Sequence, residues 1–202
     1  MSLQLPETWD VFAGIRDWIA NATDHPHIRY ADAACLTTLS PDGFPEGRMV
    51  LVREVTNRQL VFYTNTLSHK GLSLQHLPHA GLTFYWDPLG QQLRVSGTIS
   101  AATDAMSDAY FAGRPRQSQL GAWASQQSTP LTSRAHLLDE VARYDRLYPH
   151  HVPRPPHWQG VCLTPLKVEF WQEGEYRLHD RFIYRPDPSH PDRPWIGHRH
   201  HP

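Results

Sequence analysis

The sequence predicts a mainly β domain with peripheral helices, its strands antiparallel and curled into a closed or split barrel. Three observations carry that expectation. Seven or so short runs of β-branched, aromatic and leucine residues are joined by tight turns such as Ser40-Pro41-Asp42-Gly43 and Asp87-Pro88-Leu89-Gly90. The few segments with helical periodicity leave the hairpins intact, which favours a barrel over a sandwich of bare sheets. The 202 residues suit one compact unit, and no repeat, low-complexity tract or linker divides them, so residues 1–202 read as a single domain.

In chain order, Pro6 to Asn21 places Val11, Phe12, Ile15, Trp18 and Ile19 on one helical stripe. Ala33 to Leu39, Arg48 to Val55 and Leu60 to Thr64 are three strands of an antiparallel meander, with turns at Ser40 to Gly43 and at Asn57-Arg58. Ser68 is placed to cap a short helix that carries Leu72, Leu74 and Leu77. Gly81 to Trp86 and Gln91 to Ser100 read as strands, the second alternating apolar and polar residues. Asp104 to Phe111 reads as a helix, and Ser133 to Leu147 as an amphipathic one with Leu137, Leu138, Val141, Tyr144 and Leu147 on its stripe. Strands are expected again at Val161 to Thr164, Lys167 to Trp171 and Tyr176 to Tyr184, with a turn at Glu173-Gly174. The proline-rich stretches Pro149 to Pro156 and Pro186 to Pro194 are loops.

Composition narrows the partners. A net charge of -1 gives no global basic field, so nucleic acid is not expected and local cations serve something small. Cys35 and Cys162 form no CxxC pair and sit among apolar or β-branched neighbours, as buried thiols of a reducing compartment do. There is no charged-then-apolar leader and no run of about 18 apolar residues, so a soluble, cytoplasmic protein without a membrane span is expected. Metal-ligand spacings, a GxSxG elbow and the GxGxxG fingerprint are all missing, and no metal is expected. The histidines of His198 to Pro202 read as a solvated end.

Four places concentrate cations and hydrogen-bonding groups. In Tyr110 to Ser128, Arg114 and Arg116 stand among hydroxyls and amides around Leu120, Ala122 and Trp123, a composition suited to holding phosphate oxygens. RMVLVR sets Arg48 and Arg53 at the ends of an apolar strand. Tyr63 and Thr64, followed by Ser68, His69 and Lys70, outline an anion site at a helix start. In RLHDR, period-2 spacing puts Arg177, His179 and Arg181 on one strand face, where an anion would relieve their repulsion. Each alone fits a solvated strand end or loop. Together they converge on anionic ligands.

Taken together, RMVLVR, FYTN, SHKG, FYW with Gln92 and RVSG, SDAYFAGRPRQSQLGAWASQQS, VPRPPHW, VEFWQ and RLHDRFIY resemble the pyridoxamine 5'-phosphate oxidase family from about Ala33 to the C-terminus. The resemblance implies an FMN-binding split β-barrel, homodimeric, with flavin where the subunits meet. It implies oxidation of pyridoxamine or pyridoxine 5'-phosphate to pyridoxal 5'-phosphate by hydride transfer to flavin N5, with O2 reduced to H2O2. By that resemblance Arg48, Met49, Val50, Leu51, Val52, Arg53, Tyr63, Thr64, His69, Lys70, Gln92, Gln127, Ser128, Trp171 and Arg181 would hold FMN. Arg53, Tyr110, Arg114, Ser118, Arg177 and His179 would hold the phosphorylated B6 vitamer, Arg177 and His179 lying over its reacting ring as the catalytic pair.

The sequence departs from the family pattern in three ways. Arg53 stands where lysine is usual, His69 where arginine often precedes the phosphate lysine, and the start at Pro6-Glu7-Thr8-Trp9 lacks an upstream arginine and tyrosine segment. These touch the substrate more than the flavin. Two rivals follow: an oxidase of the same fold for another ring, such as a phenazine type, and a non-catalytic carrier of flavin or pyridoxal phosphate.

Overall fold

A computed structural model describes residues 3–187 and 195–202; the expected loop over Pro186 to Pro194 lies outside them from residue 188 on. Thr8–Trp9 forms a short strand, β1, and the first helix, α1, spans Val11–Asp24 rather than starting at Pro6. The Asp10 carboxylate, which accepts from the backbone N–H groups of Phe12 and Ala13, sets that start as an N-cap. Val11, Phe12, Ile15 and Trp18 of the expected stripe are buried, and Trp18 meets Phe170 edge-on at 5.0 Å.

The meander follows as β2 (Ala33–Leu39), β3 (Pro45–Val55) and β4 (Leu60–Asn65), then α2 (His69–His76), β5 (His79–Trp86) and β6 (Gln91–Ala101). Gly43, at φ 84°, closes the β2–β3 turn in a conformation open to glycine. Three helices come next: α3 (Asp104–Ala112), α4 (Arg116–Ala124) and α5 (Arg134–Leu147). The chain ends in β7 (Trp158–Gln172), β8 (Asp180–Arg185) and β9 (Trp195–His200).

β7 decides the topology. The sequence divides it in two at Pro165, yet it runs unbroken for 15 residues. The bulge lies in β7 itself: Ser96 faces Lys167 and Gly97 faces Pro165, so Leu166 is the extra residue beside the proline, and a Cβ at Gly97 would collide with the Thr164 carbonyl. Along one edge β7 pairs with β6 from Val161 to Gln172; along the other it pairs first with β4 and then, past residue 163, with β8. Strands β7-β4-β3-β2-β5-β6 thereby close an antiparallel barrel, while β8, β9 and β1 splay away from it. Leu36, Leu60, Phe62, Leu82, Phe84, Leu93, Val95, Val168 and Phe170 pack the core.

The C-terminal region departs from expectation at two places. No strand runs from Tyr176; Tyr176 and Arg177 have φ of 56° and 65°, a left-handed turn that breaks the alternation, so Arg177 and His179 do not share a strand face with Arg181. Residues 198–200, expected as a loose end, are solvated but belong to β9, paired with β8. Cys162 is buried, Cys35 half-buried, and both are free thiols. Among the described residues no helix is long and apolar enough to cross a membrane, and no group of three or more His, Cys, Asp or Glu side chains is placed to hold a metal.

Candidate active site

A cleft of about 540 Å³ opens between the outer side of β3 and β4 and the α4 helix. β3 supplies Arg48, Met49, Val50 and Leu51, β4 supplies Tyr63, Thr64 and Asn65, and α2 supplies Lys70. Arg114, Ser118 and Gln127 close it from the opposite side.

Local sequence explains these positions. Asn65 starts the turn into α2 by accepting from the Leu67 N–H at 2.8 Å, and Ser68 donates to the Asn65 carbonyl at 2.6 Å while capping the helix. Gly71 lets the first turn of α2 lie on the Thr66 carbonyl, where a Cβ would collide with backbone. Lys70 is thereby aimed across the cleft, its Nζ donating to Ser68 Oγ at 2.9 Å and to Gln127 Oε1 at 2.6 Å. Burial, with Arg48 adding to it, pulls the Lys70 ammonium down to about 8. Arg48 is held on β3 by Thr38 Oγ1 at 2.7 Å, Glu46 Oε2 at 2.8 Å and two backbone carbonyls.

Arg114 occupies the short turn between α3 and α4. Its guanidinium lies 5.0 Å from the centroid of the Trp158 ring, beside a column in which Tyr63 stacks on Tyr110 at 3.9 Å and on Trp158 at 5.1 Å. Burial holds the guanidinium below its ordinary value, Tyr110 opposing that shift and Arg53 adding to it. Among the described residues three buried side-chain atoms have no hydrogen-bond partner, and two of them, Arg114 Nη1 and Thr64 Oγ1, belong to residues lining this cleft. An orphaned cationic donor in an apolar stack is costly unless an anion meets it.

The other expected site residues lie elsewhere. Arg53 does not line the cleft; its Nη1 pairs with Asp32 Oδ2 at 2.6 Å. Val52 points into the core and His69 is exposed at the start of α2. Ser128, at φ 75°, lines a neighbouring 270 Å³ cleft that shares Gln127 with the first. Gln92, Trp171 and Arg181 form a row across β6, β7 and β8, Gln92 opposite Trp171 and Trp171 opposite Arg181. His179 packs against Trp171 with ring centroids 4.7 Å apart, and Arg177 is exposed. Arg116 turns away, clamping Asp145 and the Tyr148 carbonyl.

Two groups important to this geometry escaped the sequence reading. Glu169, 2% exposed, accepts from Arg181 Nε at 2.8 Å and from Arg94 Nη1 at 3.2 Å, and so fixes the row. Trp158 forms the cleft's wall, and only its place in VPRPPHW marked it.

Residues 25–148 match the family model for pyridoxamine 5'-phosphate oxidase, and residues 158–202 match that for the pyridoxine 5'-phosphate oxidase C-terminal dimerisation region. This chain belongs to the pyridoxamine 5'-phosphate oxidase family. It is an oxidoreductase of that type. Relatives in the family include a pyridoxine/pyridoxamine 5'-phosphate oxidase of Azorhizobium caulinodans, 44% identical over 92% of this chain and 87% of the relative, and one of Rhodopseudomonas palustris, 43% identical over 95% and 89%. Among solved structures, PhzG from Burkholderia lata in complex with tetrahydrophenazine-1-carboxylic acid superposes with a TM-score of 0.87 at 28% identity, over 98% of this chain and 94% of that one. A pyridoxamine 5'-phosphate oxidase-related FMN-binding protein from Nostoc punctiforme shares the fold, with a TM-score of 0.70 at 20% identity over 99% and 100%. Trp171 and Arg181 lie within the matched dimerisation region, and Gln92, outside it in sequence, is paired with Trp171 across β6 and β7.

Proposed function

We propose that this chain is an FMN-dependent oxidase of pyridoxamine or pyridoxine 5'-phosphate that forms pyridoxal 5'-phosphate. The observation that carries the reading is Arg114: a half-buried guanidinium with an orphaned Nη1, in the same cleft as a separate cation pair, Arg48 and Lys70. One phosphate needs one such set; two sets fit a coenzyme phosphate and a reactant phosphate.

The residues present fit FMN. Arg48, Lys70, Thr64 and Gln127 would take its phosphate, with Ser128 beside them, and the flavin ring would be met by Gln92, Trp171 and Arg181 of a second subunit. Bound FMN supplies the redox chemistry, accepting hydride from the substrate carbon and passing electrons to O2 to give H2O2. The protein's own part is positioning. Arg114 grips the reactant phosphate, Tyr110 and Ser118 offer hydroxyls to its remaining oxygens, and Arg177 and His179 cover the ring.

The test is anaerobic addition of pyridoxamine 5'-phosphate to the purified yellow protein. Bleaching of the flavin with formation of pyridoxal phosphate, then recovery of the colour in air with release of peroxide, is expected; a protein that holds both ligands without bleaching is a carrier instead. The likeness to PhzG motivates a second reading, an oxidase of a phenazine-type ring. Replacing Arg114 with Met separates them. A phosphate-bearing substrate should lose about 2–3 kcal/mol of binding, a substrate without phosphate almost none.

A further inference from the structure

Arg53 sits at a β-bulge. β3 pairs with β4 through Val52–Phe62 and then Glu54–Val61, so Arg53 is the extra residue, and a bulge re-aims the side chain it carries. It is aimed at Asp32, whose position the backbone fixes: the Asp32 carbonyl accepts from the Val52 N–H at 2.8 Å, setting the carboxylate one residue from Arg53. Arg53 is near enough to Arg114 to disfavour its charge, yet lies outside the cleft's lining. A planar guanidinium fork suits a fixed carboxylate better than a lysine ammonium does.

We infer that Asp32 tethers Arg53 at the rim of the cleft, so that Arg114 alone supplies the cation for the reactant's phosphate and Asp32 sets how tightly that phosphate is held. This rests on the function proposed above. Removing the Asp32 charge frees a second cation to swing toward the subsite.

The test measures binding of pyridoxal 5'-phosphate to the flavin-loaded protein by equilibrium dialysis, with unphosphorylated pyridoxal as the control. Asp32→Asn should tighten pyridoxal phosphate about fivefold, the yield of one added charge-assisted contact in a partly solvated place, and leave pyridoxal unchanged. Arg53→Ala in the wild-type background should shift the dissociation constant by less than about threefold, and in the Asp32→Asn background it should abolish the gain. Weakening beyond threefold in Arg53→Ala, or no tightening in Asp32→Asn, overturns the inference while leaving the oxidase reading intact. A wild-type protein that binds no pyridoxal phosphate overturns both.

Discussion

At the scale of single residues, Lys70 makes the site sensitive to pH in a calculable direction. Its folded value of about 8 lies below the ordinary 10.5, so between those limits the unfolded chain holds more protons than the folded one. Stability of the ligand-free protein should therefore rise as pH climbs through 8 toward 10.5, as burial of the charged ammonium is relieved. Ligand binding should move the other way, because a phosphate dianion favours the charged form. FMN or inorganic phosphate should bind evenly between about pH 7 and 7.5 and progressively more weakly above 8. Titrating flavin fluorescence against pH measures this. Lys70→Met should weaken FMN about tenfold or more at pH 7 and flatten the profile above 8. A profile that keeps its slope in the variant would place the titrating group elsewhere.

At the scale of elements, the sequence disclosed what was local. Strands flanked by turn residues were legible almost to the residue, as β2 shows, because alternation and Gly43 both belong to short windows. β7 reads as two strands in the sequence because Pro165 ends a strand unless a bulge receives it, and the bulge at Leu166 is defined only by its pairing with Ser96-Gly97, some 70 residues earlier. The Arg177–His179 face was misread because positive φ at Tyr176 and Arg177 has no glycine to announce it. In the cleft, residues inside contiguous motifs were legible, whereas Asp32 and Glu169 act through pairings between distant segments. The junction of α2 with the Thr66 carbonyl gives a prediction at this scale. Gly71→Ala must push the helix start off the backbone beneath it, carrying Lys70 with it. The barrel should survive with a loss of about 1–3 kcal/mol, while FMN affinity falls at least about tenfold. Denaturant melts and flavin titration of the same sample separate the two effects.

At the scale of the whole molecule, the cleft and the row of Gln92, Trp171 and Arg181 are held apart by the strand that links them. Trp158, on the cleft wall, and Trp171, in the row, lie thirteen residues apart on β7. An extended strand of that length spans up to about 40 Å, further than one mononucleotide reaches. Two copies of the chain, one giving the cleft and the other the row, would bring both groups to one flavin, in keeping with a dimerisation region matched over residues 158–202. A mixing experiment decides this. Lys70→Met disables the cleft and Arg181→Met the row, and each variant alone should bind FMN poorly. Unfolded together and refolded, equal amounts give mixed dimers in half the population. Each mixed dimer has one site with both lesions and one with neither, so flavin content should recover to about a quarter of the wild-type value. Were each site built within a single chain, every site would carry a lesion and mixing would restore nothing.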